Sequence, residues 1–303
     1  MQTGCLTIMK NCIEMNILVT GAHGQLGNEM VRVSDKSKDH YVFTDINELD
    51  ITNRDVLHTF VNKEQIDIIV NCAAYTNVDK AEEDERTANL VNNVAVGYLA
   101  EGAKSVGATL IHVSTDYVFS GKNNVPYTEH DMTEPIGIYG ETKLAGEKAI
   151  VASGCNYIIL RTAWLYSVWG KNFLKTMLKL TKERESLNVV FDQIGTPTYA
   201  GDLADAIGWI IDHRMIDQKD IYHFTNEGVC SWYDFAVAIG KLSENMCNIR
   251  PVHSNEYSSK VKRPHYSVLD KVKFREIFGY QIPYWMESLE RCINQLKVKK
   301  YEI

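Results

Sequence analysis

The chain has no long hydrophobic run: nothing in it approaches the roughly 18 consecutive apolar residues needed to cross a bilayer. Its start, Met1-Gln2-Thr3-Gly4-Cys5-Leu6-Thr7-Ile8-Met9-Lys10, is too weakly apolar for a secretory signal. An excess of positive charge is also missing. The formal charge of −7 argues against a general nucleic-acid surface, while leaving room for a local basic pocket around a phosphorylated small molecule. The seven cysteines are odd in number and include no CxxC pair, so neither a disulfide framework nor a zinc site is expected. Reduced thiols in a cytoplasm fit that usage. Internal repeats and low-complexity tracts are absent. What is present is an ordinary globular composition, 45% hydrophobic and 23% charged, in 303 residues. That length suits one large α/β domain or two ordinary ones.

The first half carries a nucleotide-binding pattern. Ile17-Leu18-Val19-Thr20 reads as a buried strand and runs directly into Gly21-Ala22-His23-Gly24-Gln25-Leu26-Gly27. A helical stretch through Met30-Val31 follows. Glycine suits a tight turn and a close approach of backbone to a pyrophosphate, and a helix N-terminus offers free N–H groups to that anion. Met15 immediately precedes the strand, so residues 1–14 are read as an N-terminal extension outside the fold. Asp45, after the apolar run Tyr41-Val42-Phe43, lies about 20 residues on, where a carboxylate can accept from the adenosine ribose hydroxyls; the plain alternative is a turn aspartate. No arginine follows within Ile46-Asn47-Glu48 to neutralise a 2′-phosphate, which favours NADH over NADPH.

Alternation continues beyond Asp45. Val56–Val61 reads as helix, and Ile66–Val70 as a strand opening into Asn71-Cys72-Ala73-Ala74, whose small residues leave room for a flat cofactor above the sheet. A helix around Ala88–Val106 and the strand Ala108–Val113 come next. Strands alternating with helices predict an α/β fold with a Rossmann-type, doubly wound parallel sheet. The expected domains are 15–165 for dinucleotide binding, with returning segments near 187–225, including a strand at Val189-Val190-Phe191. Residues 166–186 and 226–303 form a smaller C-terminal substrate-binding lobe. In that lobe Lys171–Leu180 reads as a helix, Ser231-Trp232-Tyr233-Asp234 as an N-capped helix start, and Trp285–Leu296 as the terminal helix.

Tyr139 is the only one of 16 tyrosines with a lysine four residues on. On a helix, Tyr139 and Lys143 share one face, and a nearby ammonium favours the phenolate. A hydroxyl tuned in this way suits proton donation to a carbonyl undergoing reduction. A surface Tyr/Lys contact is the bland alternative for the pair taken alone.

Five stretches in order carry a resemblance: Gly24-Gln25-Leu26-Gly27; Asn71-Cys72-Ala73-Ala74-Tyr75-Thr76 with Val78-Asp79-Lys80-Ala81-Glu82; Ser114-Thr115-Asp116-Tyr117-Val118-Phe119; Tyr139-Gly140-Glu141-Thr142-Lys143; and Arg161-Thr162-Ala163-Trp164-Leu165-Tyr166. Asp192–Thr198 and Lys262–Ser267 also fit. The chain resembles the extended short-chain dehydrogenase/reductase family, and within it the dTDP-4-dehydrorhamnose reductases, from about residue 15 to the C-terminal helix. The resemblance implies reduction of the C4 keto group of a nucleotide sugar, dTDP-4-dehydro-β-L-rhamnose, by hydride from NADH or NADPH.

It further implies that Tyr139, Lys143 and Thr115 are catalytic. The cofactor site would be lined by Gly21, Gly24, Gln25, Leu26, Gly27, Asp45, Asp50, Ile51, Ala73, Ala74 and Tyr75, together with Tyr139 and Lys143. Thr115, Asp116 and Trp164 would meet the sugar, and Arg263 the diphosphate, since guanidinium suits bidentate phosphate recognition. Asn92 resembles a helix asparagine that supports the lysine through water. A homodimer and Mg²⁺ rest on the resemblance alone, because no local metal motif is present. Tyr75 stands where relatives often have histidine, and Ser167–Lys171 is bulkier than the usual glycine-rich loop; Trp169 there either closes the pocket or caps an apolar patch.

Other readings stay open: another nucleotide-sugar 4-ketoreductase, or a non-catalytic NAD(P)-binding subunit like the regulatory subunit of methionine adenosyltransferase. A 4,6-dehydratase fits less well, since Tyr117 occupies the position of its second acid.

Overall fold

The computed structural model describes residues 14–256 and 261–299. The extension read at residues 1–14 lies outside these, apart from Glu14. Six strands form one parallel sheet. Its spatial order is Asp220–His223, Asn156–Thr162, Thr109–Thr115, Ile68–Asn71, Asn16–Thr20 and His40–Thr44. The order reverses between Asn16–Thr20 and Ile68–Asn71, and the crevice above the carboxyl ends at such a switch point is where open α/β sheets bind ligands.

Alternation along each strand explains why both faces are covered. Ile17, Val19, Ile68, Val70, Ile111, Ile158 and Leu160 enter one apolar cluster with Leu26, Met30, Leu203, Ile207 and Phe274. Leu18, Ile69, Leu110 and Ile159 point the other way, onto Leu57, Val61, Leu99 and Ile150. Side chains of period two buried on both sides give continuous apolar strands, each such side chain contributing about 1.5–3 kcal/mol.

The chain leaves the carboxyl edge of the sheet after Thr162. Leu165–Tyr166 pairs with Thr198–Tyr199, and the segments between and beyond build a second body around its own core of Leu174, Met177, Phe235, Ile239, Leu289 and Ile293. Its helices start on caps that the sequence supplies. Asn172 caps Phe173–Glu183 by accepting from the Lys175 N–H, and Ser231 with Asp234 forms a capping box on Trp232–Ser243. The terminal helix spans Trp285–Lys299. Asp202 ties the two bodies together, accepting from Asn226 at 2.6 Å and also bonding Ser288 and Arg291.

One expectation is corrected. The apolar strand read at Val189-Val190-Phe191 forms as Ser186–Val190, but it does not return to the large sheet. It pairs in parallel with Asn248–Val252 in the smaller body, where Leu187 and Val189 join that core. Asp220–His223 is the returning strand. Among the described residues no helix is long and apolar enough to cross a membrane.

Candidate active site

The glycine loop is shaped by close contacts. Gly21 has φ +67°, and a Cβ there would lie 2.6 Å from the Ala73 nitrogen; a Cβ on Gly27 would lie 2.3 Å from the Gly21 carbonyl oxygen. Only glycine fits either place. Helix Gln25–Ser34 begins at Gly24 with no side-chain cap, so its first N–H groups face the crevice open to an anion. A cleft of about 450 Å³ lies beside them, lined by Gly21, Gly24, Asp45, Asp50, Ile51, Ala73 and Ala74 as expected. His23, Ile46, Leu49, Thr52, Cys72 and Val91 also line it and were missed. Asp45 accepts from the His23 and Ile46 backbone N–H groups at 2.9 and 2.8 Å, and the Glu48 carboxylate accepts from its own N–H at 3.0 Å.

Three expected cofactor residues sit differently. The Gln25 side chain accepts from Asn172 at 2.9 Å, bridging the first helix to the smaller body. Leu26 is a core residue at 4% exposure. The backbone of Tyr75 is clasped by Asn92, which accepts from its N–H at 2.8 Å and donates to its carbonyl at 3.1 Å. Asn92 also donates to Thr142, at 3.3 Å, so its amide holds the loop after Ile68–Asn71 against helix Ile138–Ser153. It lies in a π-turn, Leu90–Val94, a feature that often marks functional sites.

Next to this cleft the reactive groups converge. Thr115 ends its strand; its hydroxyl donates to Asp116 at 3.1 Å, accepts from the Tyr117 N–H at 3.2 Å and bonds the Tyr139 phenol. The Tyr117 and Tyr139 rings meet edge to face at 5.4 Å. Burial pushes the Tyr139 phenol up to about 12, the Thr115 bond pulls it down, and Asp116 adds to the rise. The expected lowering by Lys143 is therefore overturned, and the reason is positional. The Lys143 amine donates to the Val113 carbonyl at 2.6 Å and meets His112 at 3.2 Å. Burial lowers Lys143 to about 8, against the pull of Glu147.

Asp116 is 2% exposed and raised to about 6 by burial, with the Ser267 and Thr115 hydroxyls restraining the rise. Its Oδ2 has no hydrogen-bond partner among the described residues, an unusual state for a buried oxygen and one that a ligand hydroxyl would resolve.

Since the native carboxyl holds its proton more tightly than its ordinary 3.8, stability rises as pH falls through about 6 and the cost of ionisation is complete above it. Asp116→Asn should therefore raise Tm most at about pH 8 and by roughly half as much at about pH 5, the gain vanishing only below the ordinary 3.8. An equal change at both, in thermal scans, would contradict the burial argument.

Trp164 adopts φ +49°, a strained conformation for a bulky residue, and stacks on Trp232 at 3.6 Å. A Cβ on Gly195 would lie 2.7 Å from its ring, so Gly195 makes room for the indole. Trp169 is partly buried against the core of the smaller body, which makes it a cap on an apolar patch. Arg263 pairs with Asp79 at 3.4 Å. It is close enough to Tyr117 to influence it electrostatically, which places it on the Tyr139 side of the site.

Residues 15–298 match the family model described as the RmlD substrate binding domain. The chain belongs to this family. It is 40% identical over 284 residues to the dTDP-4-dehydrorhamnose reductase of Aggregatibacter actinomycetemcomitans, covering 90% of this chain and 97% of that one. A solved dTDP-4-dehydrorhamnose reductase of Clostridium acetobutylicum superposes with a TM-score of 0.90 at 42% identity, covering 93% of this chain and all of that one (100%). A Bacillus anthracis enzyme of the same name, solved in complex with NADP, gives 0.87 at 37% identity and the same coverage of 93% and 100%.

Proposed function

We propose that this protein reduces the C4 keto group of dTDP-4-dehydro-β-L-rhamnose to dTDP-β-L-rhamnose with NAD(P)H, the last step of dTDP-rhamnose synthesis. The observation that carries the reading is the cluster of Tyr139, Thr115 and Asp116 beside a glycine cradle that a single Cβ would fill.

The cradle residues Gly21 and Gly27 and the uncapped N–H groups after Gly24 would hold the pyrophosphate, and Asp45 the adenosine ribose. Once bound, the reduced nicotinamide supplies the hydride. Tyr139, protonated at neutral pH by its raised pKa, delivers the proton to the sugar oxygen, and Thr115 keeps the phenol aimed. Asp116 Oδ2 accepts from a sugar hydroxyl, and the Trp164 face covers the ring. Arg263 releases Asp79 to take the diphosphate. Lys143 reaches the nicotinamide ribose.

Nicotinamide absorbance followed with the keto sugar made in situ tests this reading. Rapid oxidation that depends on the sugar supports it. Cofactor binding without oxidation of this sugar would point to another nucleotide-sugar 4-ketoreductase.

The preferred cofactor is NADH. Asp45 lines the cleft, the Glu48 carboxylate accepts from the Asp45 backbone N–H, and no arginine follows, which disfavours a 2′-phosphate there. NADP sits in the Bacillus anthracis relative, so both cofactors belong in the assay. Asp45→Ala should raise KM for NADH about tenfold, the value of a charge-assisted hydrogen bond, and change NADPH less. Equal losses would remove the preference. The resemblance also allows Mg²⁺ and a homodimer. Among the described residues no three carboxylate, imidazole or thiol groups gather to hold a metal ion, and no step is derived through one. Light scattering with and without EDTA tests the dimer.

A further inference from the structure

Behind the reactive cluster a string of buried polar side chains crosses the carboxyl end of the sheet. Thr20, Asn71, His112 and Lys143 are each exposed by 1% or less. Thr20 Oγ1 donates to Asn71 Oδ1 at 2.7 Å, and the Ala73 N–H donates to the same oxygen at 3.2 Å. Asn71 Nδ2 lies 2.9 Å from His112 Nδ1, and His112 Nε2 lies 3.2 Å from Lys143 Nζ. Lys143 Nζ also donates to the Val113 carbonyl at 2.6 Å.

Proton counting along this string leaves few choices. A backbone N–H can only donate, so Ala73 fixes which end of the Asn71 amide carries oxygen. The amide nitrogen then donates to His112 Nδ1, which must accept. A neutral imidazole carries one proton, so that proton is on Nε2, aimed at Lys143. The doubly protonated ring is disfavoured by burial and by the lysine itself. An ammonium has three donors and no acceptor, so it cannot satisfy an incoming N–H. Only an amine with a free lone pair completes the string.

We propose that Asn71 locks His112 in its Nε2–H tautomer, and that His112 in turn favours the neutral amine of Lys143 over its ammonium, making Asn71 and His112 positioning residues for this site. The proposal rests on the reading of Lys143 as part of the active site. Lys143 becomes an ammonium only by giving up the His112 contact. The pair therefore sets the pH above which the cationic form, the stronger donor to the nicotinamide ribose hydroxyls in the proposed reaction, is lost, and the alkaline limb of the rate profile with it. Other titratable groups lie on the elements packed around Lys143, and Glu147 acts on it directly. Glu147 lies one turn along its helix and is bound by Arg161. Tyr139 lies one turn back on the same helix, and Asp116 directly follows the strand that carries His112 and Val113.

Nitrogen-15 NMR of the full-length, histidine-labelled chain tests the tautomer without turnover. His223 is the internal contrast. It is equally buried, but its Nδ1 faces the Tyr127 carbonyl at 3.1 Å and must carry the proton. With signals assigned from His112→Gln and His223→Gln chains, His112 is expected as Nε2–H and His223 as Nδ1–H. Asn71→Asp, whose carboxylate can only accept, should switch His112 to Nδ1–H and move the alkaline limb of kcat up by about one pH unit or more. His112→Gln, whose amide oxygen can accept from an ammonium, should move the limb the same way should the aspartate chain not fold. An Nδ1–H tautomer in the parent, or a limb unmoved in a folded variant, overturns the proposal. A parent with the Nε2–H tautomer but no turnover of the keto sugar would instead sink the reductase reading and leave this one standing.

Discussion

Tyr139→Phe is expected to lose about 10²–10⁴ in kcat while keeping the fold and NAD(P)H binding, the usual range for a positioned proton donor. The substitution removes one oxygen and no packing surface. The ring keeps its edge-to-face contact with Tyr117 at 5.4 Å, and Thr115 keeps its bonds to Asp116 and to the Tyr117 N–H. Little stability should change, so the loss reads on chemistry alone. Because burial raises the phenol to about 12, the parent holds its proton across the neutral range and hands it over only as the carbonyl oxygen gains charge. Steady-state rates paired with a fluorescence titration of bound NAD(P)H separate the two effects. A kcat within about threefold of the parent would take Tyr139 out of the proton-donating role.

Much of the fold was legible because local chemistry and topology agree. A glycine turn between an apolar strand and a helix admits few arrangements, and Gly21 and Gly27 are in fact the positions with no room for a Cβ. Ser231 announced its N-cap by position, and the structure adds Asp234 as the reciprocal half of a capping box. The placement of Ser186–Val190 was not legible. An apolar run shows that a strand is buried but not which neighbour it pairs with, and here Asn248–Val252 supplies the partner from far along the chain.

The site was read with the same strengths and gaps. Helical spacing put Tyr139 and Lys143 on one face, but the direction of the amine depends on the Val113 carbonyl, a backbone group with no sequence signature. Gln25 looked like a cofactor contact because of where it stands in the glycine loop, yet Asn172 claims its side chain from a distant segment. Asn71 and His112 were passed over as a functional pair because each sits within an apolar strand pattern. Only the parallel register, which sets Asn71 opposite His112, brings their side chains together.

Glu147→Gln should destabilise the protein by about 3–5 kcal/mol, a fall of about ten degrees in Tm. Glu147 and Arg161 are both 2% exposed, and the carboxylate accepts twice from the guanidinium, at 3.0 and 2.7 Å, and once from Ser114 at 2.5 Å. Arg161 also lies over the Phe119 ring, and its Nη1 has no hydrogen-bond partner among the described residues. Neutralising Glu147 leaves a buried cation with a ring face and an amide for company, and an uncompensated charge in the interior costs more than the pair itself was worth. Replacing both, Glu147→Leu with Arg161→Met, should recover most of the loss, since an apolar pair of similar volume needs no compensation. Thermal scans of the three chains measure this, and a Tm for Glu147→Gln within about two degrees of the parent would contradict it. The same chains report on function. Ser114 and Arg161 adjoin Thr115 and Thr162 at two strand ends, and Glu147 is on the helix that carries Tyr139 and Lys143. A double variant that regains Tm but keeps a lowered kcat would show that this ion pair holds the reactive helix in register with the sheet.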